Sequence, residues 1–286
     1  MLRKGRFRWI LAIGLCTLAA LLMVPVVLQP QAMERTEIFS GVYLTVRDLP
    51  RTSHGSGKVM IAEVHWDTPG VSISNREYDY PVNPADPDAP HYQLAFADWA
   101  LAKEQTSLLI NTAIYQPDPI YRILPGLPVR SLDTLVVEGR VSHIHPHSYL
   151  LYWDTSMEAH LLRTKPPDQT SLGNAQTGIG MGGMQVVDGQ PAYEAIEDRE
   201  RVFPRTFIGI DPGRRILYLL AFENASAYRM IETAVEAGVV TGGQMDSGRS
   251  TNFLTGRSAA AVGPHRGIRG WRPLGPYLVI RADPVN

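Results

Sequence analysis

The chain has 286 residues with 27 Lys and Arg against 28 Asp and Glu, which leaves a net charge of -1 when histidine is neutral. This balance argues against a nucleic-acid-binding protein, which normally presents a basic face, and we predict no nucleic-acid partner. A hydrophobic share of 44% excludes a disordered acidic protein and is enough for a sizeable core. The single cysteine, Cys16, rules out an intrachain disulfide and a zinc site built from several thiolates.

The first 33 residues are predicted to form a basic cytoplasmic stub and a membrane anchor. Four basic residues precede position 9, and residues 9–28 then carry no charge, which is about the length that spans a hydrocarbon core. Basic residues before such a run favour export of everything that follows, to the periplasm or the cell exterior. A cleaved signal peptide is the alternative and would release a secreted protein. Pro30, close before Ala32, disfavours cleavage, so we expect an uncleaved anchor.

Residues 34–104 are predicted to form the N-terminal, strand-rich part of the exported domain. Their apolar and polar residues alternate in two stretches, as in half-buried strands. Further along, Ala95, Trp99 and Ala102 share one face at helical spacing. In chain order, these patterns predict strands at 36–49 and 58–64, a proline-rich loop at 79–90 and a helix at 92–103.

Residues 105–286 are predicted to form the core of the domain. Short apolar runs between turn signals indicate strands at 107–114, 134–137, 149–153, 185–187, 207–210, 216–222 and 277–280. A helix is predicted at 227–237, with Ser226 as its N-cap and Gly238 as its C-cap. The pattern as a whole predicts an α+β fold: one strand-rich domain with a mixed sheet and a few helices, preceded by the N-terminal segment.

Three histidines at alternate positions, His143, His145 and His147, could share one face of a strand and bind a metal ion. Pro146 disturbs a regular strand, however, and the nearby sequence supplies no obvious fourth ligand. We therefore interpret these residues as a polar strand edge or turn, and predict neither a metal nor another cofactor. A metal hydrolase built on the three histidines is kept as an alternative.

Four segments, in order, follow the pattern of one enzyme family. They are 111–115 (Asn-Thr-Ala-Ile-Tyr), 182–189 (Gly-Gly-Met-Gln-Val-Val-Asp-Gly), 204–211 (Pro-Arg-Thr-Phe-Ile-Gly-Ile-Asp) and 246–251 (Asp-Ser-Gly-Arg-Ser-Thr). The family counterparts are Asn-Gly-Gly-Phe-Phe, Gly-Pro-Met-Leu-Val-x-x-Gly, Pro-Arg-Thr-Ala-Ile-Gly-Ile-Asp and Asp-Gly-Gly-Gly-Ser-Ser/Thr. A late Arg272-Pro273-Leu274 matches the family's Arg-Pro-Val. Over residues 105–281 the sequence thus resembles the phosphodiester glycosidase family, whose members remove a sugar from its phosphodiester link.

The resemblance implies an anionic carbohydrate or glycosyl phosphodiester as ligand and assigns roles to particular residues. Asp246 would activate water or attack the anomeric carbon, because one carboxylate suffices when a phosphate monoester leaves. Arg205 and Arg272 would bind the phosphate as guanidinium forks. The other implied contacts are Asn111 and Ser250 to the sugar, the hydroxyl of Thr206, and the loop residues Gly248 and Arg249.

This sequence also departs from the family pattern in the first and fourth segments. Ser247 and Arg249 replace two glycines, which would be costly if the backbone there needed a positive φ. An arginine beside Asp246 is also expected to depress the pKa of that carboxyl. Alternatively, Arg249 could bind a phosphate and shift the specificity. Thr112 and Ala113 replace the two glycines after Asn111. These departures keep a second hypothesis open, a catalytically inactive protein of the same fold that binds an anionic glycan.

Overall fold

The fold is built almost entirely from antiparallel strands, the arrangement that short connections between consecutive apolar runs produce. The computed structural model describes residues 34–81, 86, 89–103, 106–117, 124–142, 149–163, 172–193, 198–256 and 267–285. The first ten strands are β1 (Thr36–Phe39), β2 (Val42–Thr52), β3 (Gly55–His65), β4 (Ser72–Asn75), β5 (Tyr92–Gln93), β6 (Leu108–Asn111), β7 (Tyr115–Pro117), β8 (Pro128–Ser131), β9 (Leu135–Val137) and β10 (Arg140–Val141). The others are β11 (Tyr149–Asp154), β12 (Ala159–Arg163), β13 (Ala175–Met181), β14 (Val186–Val187), β15 (Gln190–Pro191), β16 (Phe203–Asp211), β17 (Ile216–Ala225), β18 (Thr241–Gln244), β19 (Phe253–Thr255), β20 (Gly267–Ile268) and β21 (Tyr277–Arg281). The described helices are α1 (Ala97–Lys103), α2 (Ala227–Ala237) and a 3-10 turn at Gly248–Ser250.

These strands form four sheets, of which the largest has eight strands in the order β1-β2-β3-β17-β16-β18-β14-β15. Two five-stranded sheets have the orders β10-β9-β13-β11-β12 and β20-β19-β6-β21-β4, and a three-stranded sheet has the order β5-β8-β7. Strands from before and after residue 105 pair directly, β3 with β17 and β4 with β21. The two predicted parts of the exported domain therefore share sheets.

The central hairpin of the large sheet, β16 and β17, is buried on both faces. Successive side chains of a strand point to opposite faces, so one continuous apolar run can serve two cores. Phe207 and Leu220 pack against α2 in one cluster, whereas Ile208 and Leu219 belong to the main core on the other side. This double burial fixes the register of the strand that carries the third family segment.

Helix α2 has the ends that the sequence predicts. Ser226 accepts a hydrogen bond from the backbone N–H of Arg229 at 3.2 Å, and Gly238 ends the helix in the left-handed conformation with φ 99°. The helix carries the chain from β17 to β18, which run in the same direction on either side of β16. This crossover delivers the fourth family segment to the edge of the sheet where β16 begins.

Most of the predicted strands are confirmed, and three predictions are corrected. The predicted strand at 36–49 is two strands, because Gly41 turns the chain with φ 70°. The predicted helix at 92–103 begins only at Ala97, since Tyr92 is buried and pairs with Val129 in a sheet. The sheets are antiparallel in every pairing of the described residues and not mixed, because neighbouring strands are joined by hairpins or by crossovers that skip a strand.

Residues Arg35–Asn286 form one compact unit. The predicted membrane anchor, residues 1–33, lies outside the described residues. Among the residues that are described, no helix is long and apolar enough to cross a membrane.

Candidate active site

Asp246 lies two residues after the end of β18 and is held between two sheets. The backbone N–H of Met245 donates to the carbonyl oxygen of Thr206 at 2.9 Å, which continues the pairing of β18 with β16. The next N–H, that of Asp246, donates to the carbonyl oxygen of Thr112 at 2.9 Å, just after β6 of a five-stranded sheet. The position of this carboxylate is therefore set by the junction between the large sheet and the sheet that contains β6.

Asn111 ties this junction together with its side-chain amide. Its Nδ2 donates to the carbonyl oxygen of Asp246 at 2.5 Å. Its Oδ1 accepts from the hydroxyl of Thr206 at 2.9 Å and from the N–H of Asn252 at 2.8 Å. Asn111 and Thr206 are both fully buried, so these polar groups need internal partners, and here they have them.

The loop after Asp246 tolerates the two residues that replace family glycines. Ser247 has φ -132°, an ordinary extended conformation, and Arg249 is not among the residues of positive φ. The one left-handed position is Gly248, with φ 70°, and this glycine is retained. The expected backbone cost at Ser247 and Arg249 is therefore absent. Ser247 instead adds a hydrogen bond from its hydroxyl to the carbonyl oxygen of Met245 at 2.9 Å.

Asp246 holds its proton more tightly than an ordinary aspartate. Burial raises the pKa of its carboxyl to about 6, and the nearby Asp133 adds to the rise. The Ser250 hydroxyl, the N–H of Ser247 and the positive charge of Arg272 act in the opposite direction, without cancelling the effect of burial. The expectation that Arg249 depresses this pKa is wrong, because its guanidinium lies over the indole ring of Trp271, 4.5 Å from the centroid.

Tyr115 is a residue of this site to which the sequence analysis gave no role. Its hydroxyl donates to the carbonyl oxygen of Pro273 at 3.2 Å, and its ring is buried. Burial raises the pKa of Tyr115 to about 12, and the carboxylate of Asp246 contributes to the rise. Its place in the sequence could have indicated a role in the site, because Tyr115 aligns with the last Phe of the family segment Asn-Gly-Gly-Phe-Phe.

Arg205 is buried, and its guanidinium is engaged by the protein itself. Its Nε donates to the carbonyl oxygen of Ala225 at 2.8 Å, and its Nη2 to that of Arg201 at 2.9 Å. Its Nη1 donates to the side-chain oxygen of Gln244. Burial lowers the pKa of Arg205 to about 10, so the group stays positively charged near neutral pH. Buried in this way, Arg205 joins β17 and β18 to the chain just before β16.

A cavity of about 740 Å³ lies beside the loop that follows Asp246, since Ser247, Gly248 and Arg249 line it. We call it the arginine cavity, because four of the described residues that line it are arginines. They are Arg201, Arg249, Arg269 and Arg272, beside Phe203, Pro204, Glu223, Ser247, Gly248, Thr251, Gly267, Ile268, Gly270 and Trp271. The predicted residues Gly248, Arg249 and Arg272 line the cavity. The other predicted residues, Asp246, Ser250, Asn111, Thr206 and Arg205, are not among the described residues that line it.

Residues 127–281 match the family model described as phosphodiester glycosidase, which is more than half of the chain. The chain belongs to the phosphodiester glycosidase family. The match includes three of the four predicted segments and Arg272, while the first segment, with Asn111, precedes it. No curated protein matches this sequence.

Solved structures show the same fold. The catalytic domain of zebrafish N-acetylglucosamine-1-phosphodiester alpha-N-acetylglucosaminidase, auto-inhibited by its pro-peptide, is 14% identical with a TM-score of 0.57, over 86% of this chain and 84% of that chain. A putative exported protein from Burkholderia pseudomallei is 11% identical with a TM-score of 0.57, over 79% and 74% of the two chains. A hypothetical protein from Synechocystis is 11% identical with a TM-score of 0.53, over 85% and 62%. At these identities the likeness establishes the fold alone.

In this member of the phosphodiester glycosidase family, the described residues contain no group of three or more His, Cys, Asp or Glu that could hold a metal ion. The three histidines considered for a metal, His143, His145 and His147, lie outside the described residues. Their role stays a prediction from the sequence.

Proposed function

We propose that this family member is an exported hydrolase that releases a sugar from a sugar-1-phosphodiester in envelope glycan or exopolysaccharide metabolism. The observation that carries the proposal is one carboxylate of raised pKa, Asp246, which directly precedes the loop residues Ser247, Gly248 and Arg249 that line a cavity with four described arginines. A glycosyl phosphodiester is anionic, and guanidinium groups bind phosphate oxygens through paired N–H donors.

Arg272 is the cation best placed for the reacting phosphate. It lines the arginine cavity, and its charge also acts on the carboxyl of Asp246. It forms no ion pair or side-chain hydrogen bond with another described residue, so its N–H donors are available to a ligand. We assign phosphate binding to Arg272 and give Arg205 a positioning role, because the guanidinium of Arg205 is engaged by internal acceptors.

The chemistry needs one ionised carboxylate and a good leaving group. Asp246 either takes a proton from the water molecule that attacks the anomeric carbon, or attacks that carbon itself and forms a glycosyl ester. In the second case water then hydrolyses the ester, which releases the sugar and restores the carboxylate. The bond between the anomeric carbon and the phosphate oxygen breaks, and its electron pair leaves with the phosphate monoester. Because this product is a stable anion, the leaving oxygen needs little help from a general acid.

The buried polar residues around Asp246 hold it in place for this step. Asn111 and Thr206 form one hydrogen-bonded unit with the backbone of Asp246, and Ser250 contacts its carboxyl. Fixed positions of this kind lower the reorganisation needed to reach the transition state. Gly248 keeps the cavity wall free of a side chain at that point.

The place of the reaction follows from the proposed anchor. Residues 1–33 would hold the protein in a membrane with the domain outside the cytoplasm, or be cleaved as a signal peptide to release it. Both forms would give the site access to envelope glycans.

A protein that binds an anionic glycan without hydrolysing it is the alternative. One observation favours it, since Asp246 itself is not among the described residues that line the cavity. In that case the arginines would hold the ligand out of reach of the carboxylate.

The deciding experiment uses the full-length chain in detergent with methyl diesters of sugar 1-phosphates, including that of N-acetylglucosamine. Released sugar is measured for the wild type, Asp246→Asn and the control Asp67→Asn, which removes an exposed carboxylate outside the cavity lining. Release by the wild type and the control, lost in Asp246→Asn, supports the hydrolase. Binding without release by any of the three proteins supports the binding protein and refutes the hydrolase.

A further inference from the structure

The side chains of Arg249 and Trp271 contact each other, and both line the arginine cavity. The guanidinium carbon lies 4.5 Å from the centroid of an indole ring. Trp271 is 64% exposed, an unusual state for a large aromatic side chain. Both residues line the cavity, so the exposed part of the pair is offered to whatever enters it.

The indole attracts the positive charge of Arg249 and holds its guanidinium over the ring. Arg249 forms no side-chain hydrogen bond or ion pair with another described residue, so its N–H donors remain able to bind an anion. A guanidinium that is already held in this way loses less side-chain freedom when it binds a ligand.

The four arginines of the cavity differ in what compensates their charge. Arg201 lies 3.5 Å from a carboxylate oxygen of Asp198, and Arg269 lies 2.8 Å from one of Asp98. Arg249 and Arg272 form no ion pair with any described carboxylate. The described lining therefore holds two arginines without an ion-pair partner, beside one carboxylate, Glu223, that accepts a hydrogen bond from the N–H of Lys58. The charge of Arg272 is shared with Asp246, which leaves Arg249 as a cation available to an anion other than the reacting phosphodiester.

The two arginines without an ion-pair partner, Arg249 and Arg272, lie near different groups of the site. The charge of Arg272 acts on Asp246 and Tyr115, the groups nearest the proposed reaction. Arg249 contributes to neither group and faces the cavity from the indole of Trp271. A second anionic group would thus be bound away from the reacting bond.

The indole adds a surface suited to a sugar ring. One face of a pyranose is a patch of C–H groups, and the negative face of an aromatic ring attracts their slight positive charge. A ligand that covers Trp271 also removes exposed apolar area from water. Trp271 can therefore contact the ring of a sugar, and Arg249 can bind an anionic group attached to that sugar.

We propose that Arg249 and Trp271 form a subsite for a sugar unit that carries its own negative charge, so that the substrate is an acidic glycan phosphodiester. The inference rests on the proposed function and names its substrate class. The shared chemistry is an anionic group on a pyranose, either the carboxylate of a uronic acid or a further phosphate. Arg249, which stands where the family pattern has glycine, would give this member its preference.

The test compares ligands that differ only at position 6 of the sugar. Each ligand carries a phosphate on carbon 1 that is also esterified with methanol. Position 6 is a hydroxyl in the glucose ligand, a carboxylate in the glucuronic acid ligand and a phosphate in the glucose 6-phosphate ligand. Binding to the full-length Asp246→Asn chain is measured by calorimetry, and hydrolysis is measured with the wild type. We expect at least one acidic ligand to bind about tenfold or more tightly than the neutral one, as a charge-assisted hydrogen bond allows. The ligand that is preferred tells whether the anion is a carboxylate or a phosphate.

Three further variants connect the preference to the subsite. Arg249→Gln should abolish the preference and leave binding of the neutral ligand nearly unchanged. Trp271→Ala should weaken binding of all three ligands. Trp99→Ala is the matched control, because that indole is 60% exposed, like Trp271, but does not line the cavity. All three positions are on the surface, and thermal unfolding checks that each variant folds.

Equal binding of the three ligands, or no binding of any of them, would overturn the inference. So would an equal loss for acidic and neutral ligands in Arg249→Gln. The two proposals can fail independently. If the wild type binds the acidic ligand with the expected preference but releases no sugar from it, the subsite is supported and the hydrolase proposal is refuted.

Discussion

Asn111 and Asp246, which lie 135 residues apart in the sequence, are joined by a hydrogen bond from the amide of the first to the backbone carbonyl of the second. The same amide accepts from Thr206 and Asn252, so one side chain fixes three segments. This makes Asn111 a residue that positions the carboxylate, where the family resemblance implied a contact with the sugar.

Replacing Asn111 tests this positioning role. Asn111→Ala should leave the Thr206 hydroxyl and two backbone groups unsatisfied and lower the free energy of unfolding by about 2–3 kcal/mol. In surviving folded protein kcat should fall more than KM rises, because Asp246 is misplaced while the arginines are intact. Thermal unfolding and steady-state kinetics measure both effects. A raised KM with unchanged kcat and stability would instead show that Asn111 contacts the sugar.

The raised pKa of Asp246 predicts the pH dependence of the reaction. The carboxylate must be ionised to act as nucleophile or base, so kcat/KM should rise with pH through a midpoint near 6. Asp133→Asn should move this midpoint to lower pH, because the Asp133 charge contributes to the raised pKa. A profile that is flat between pH 4.5 and 8 would argue against Asp246 as the reacting group.

The same shift predicts that Asp246→Asn stabilises the protein while it inactivates it. The pKa of this carboxyl is higher in the folded state than its usual value of 3.8, so unfolding releases a proton between about pH 4 and 6. Ionised Asp246 therefore opposes folding above pH 6, by about 2–3 kcal/mol. The melting temperature of Asp246→Asn should exceed that of the wild type at pH 7.5, and the difference should shrink at pH 4.5. A difference that grows on acidification would contradict this.

Arg205 is expected to matter first for stability. Arg205→Met leaves the oxygens of Ala225, Gln244 and Arg201 without their donor inside the protein, at a cost of about 3 kcal/mol. Arg201→Met is the control for stability, because that side chain is 72% exposed and should change the melting temperature little. If Arg205→Met melted like the wild type and only raised KM, the phosphate-binding role implied by the family resemblance would be restored.

Gly248 offers a test of backbone conformation with a matched control. A methyl group added at Gly248 or at Gly182 would meet no atom within 4 Å, but only Gly248 has a positive φ. Gly248→Ala should therefore cost about 1 kcal/mol of stability and lower kcat/KM by shifting the loop after Asp246, whereas Gly182→Ala should be neutral. Equal melting temperatures and activities for the two variants would show that the loop does not depend on this conformation.

Much of the fold could be predicted because local patterns agree with the tertiary structure. Helix α2 has capping residues at both ends, and the apolar runs of β16 and β17 are long enough to be recognised without neighbours. The prediction erred at Tyr92, where a locally helical spacing yields to pairing with Val129. A short amphipathic stretch near a sheet edge adopts whichever structure buries its apolar residues. The local sequence does not show whether a partner strand is available, so it does not decide between helix and strand.

The sequence by itself determined the family, because segments such as 204–211 and 246–251 are recognisable one by one. The tertiary structure decided the surroundings of the candidate site residues. It buries Arg205 among carbonyl oxygens, places Arg249 over the ring of Trp271, and surrounds Asp246 so that its pKa is raised. The physical reason is that desolvation and hydrogen-bond partnership depend on groups far apart in the chain, which only folding brings together.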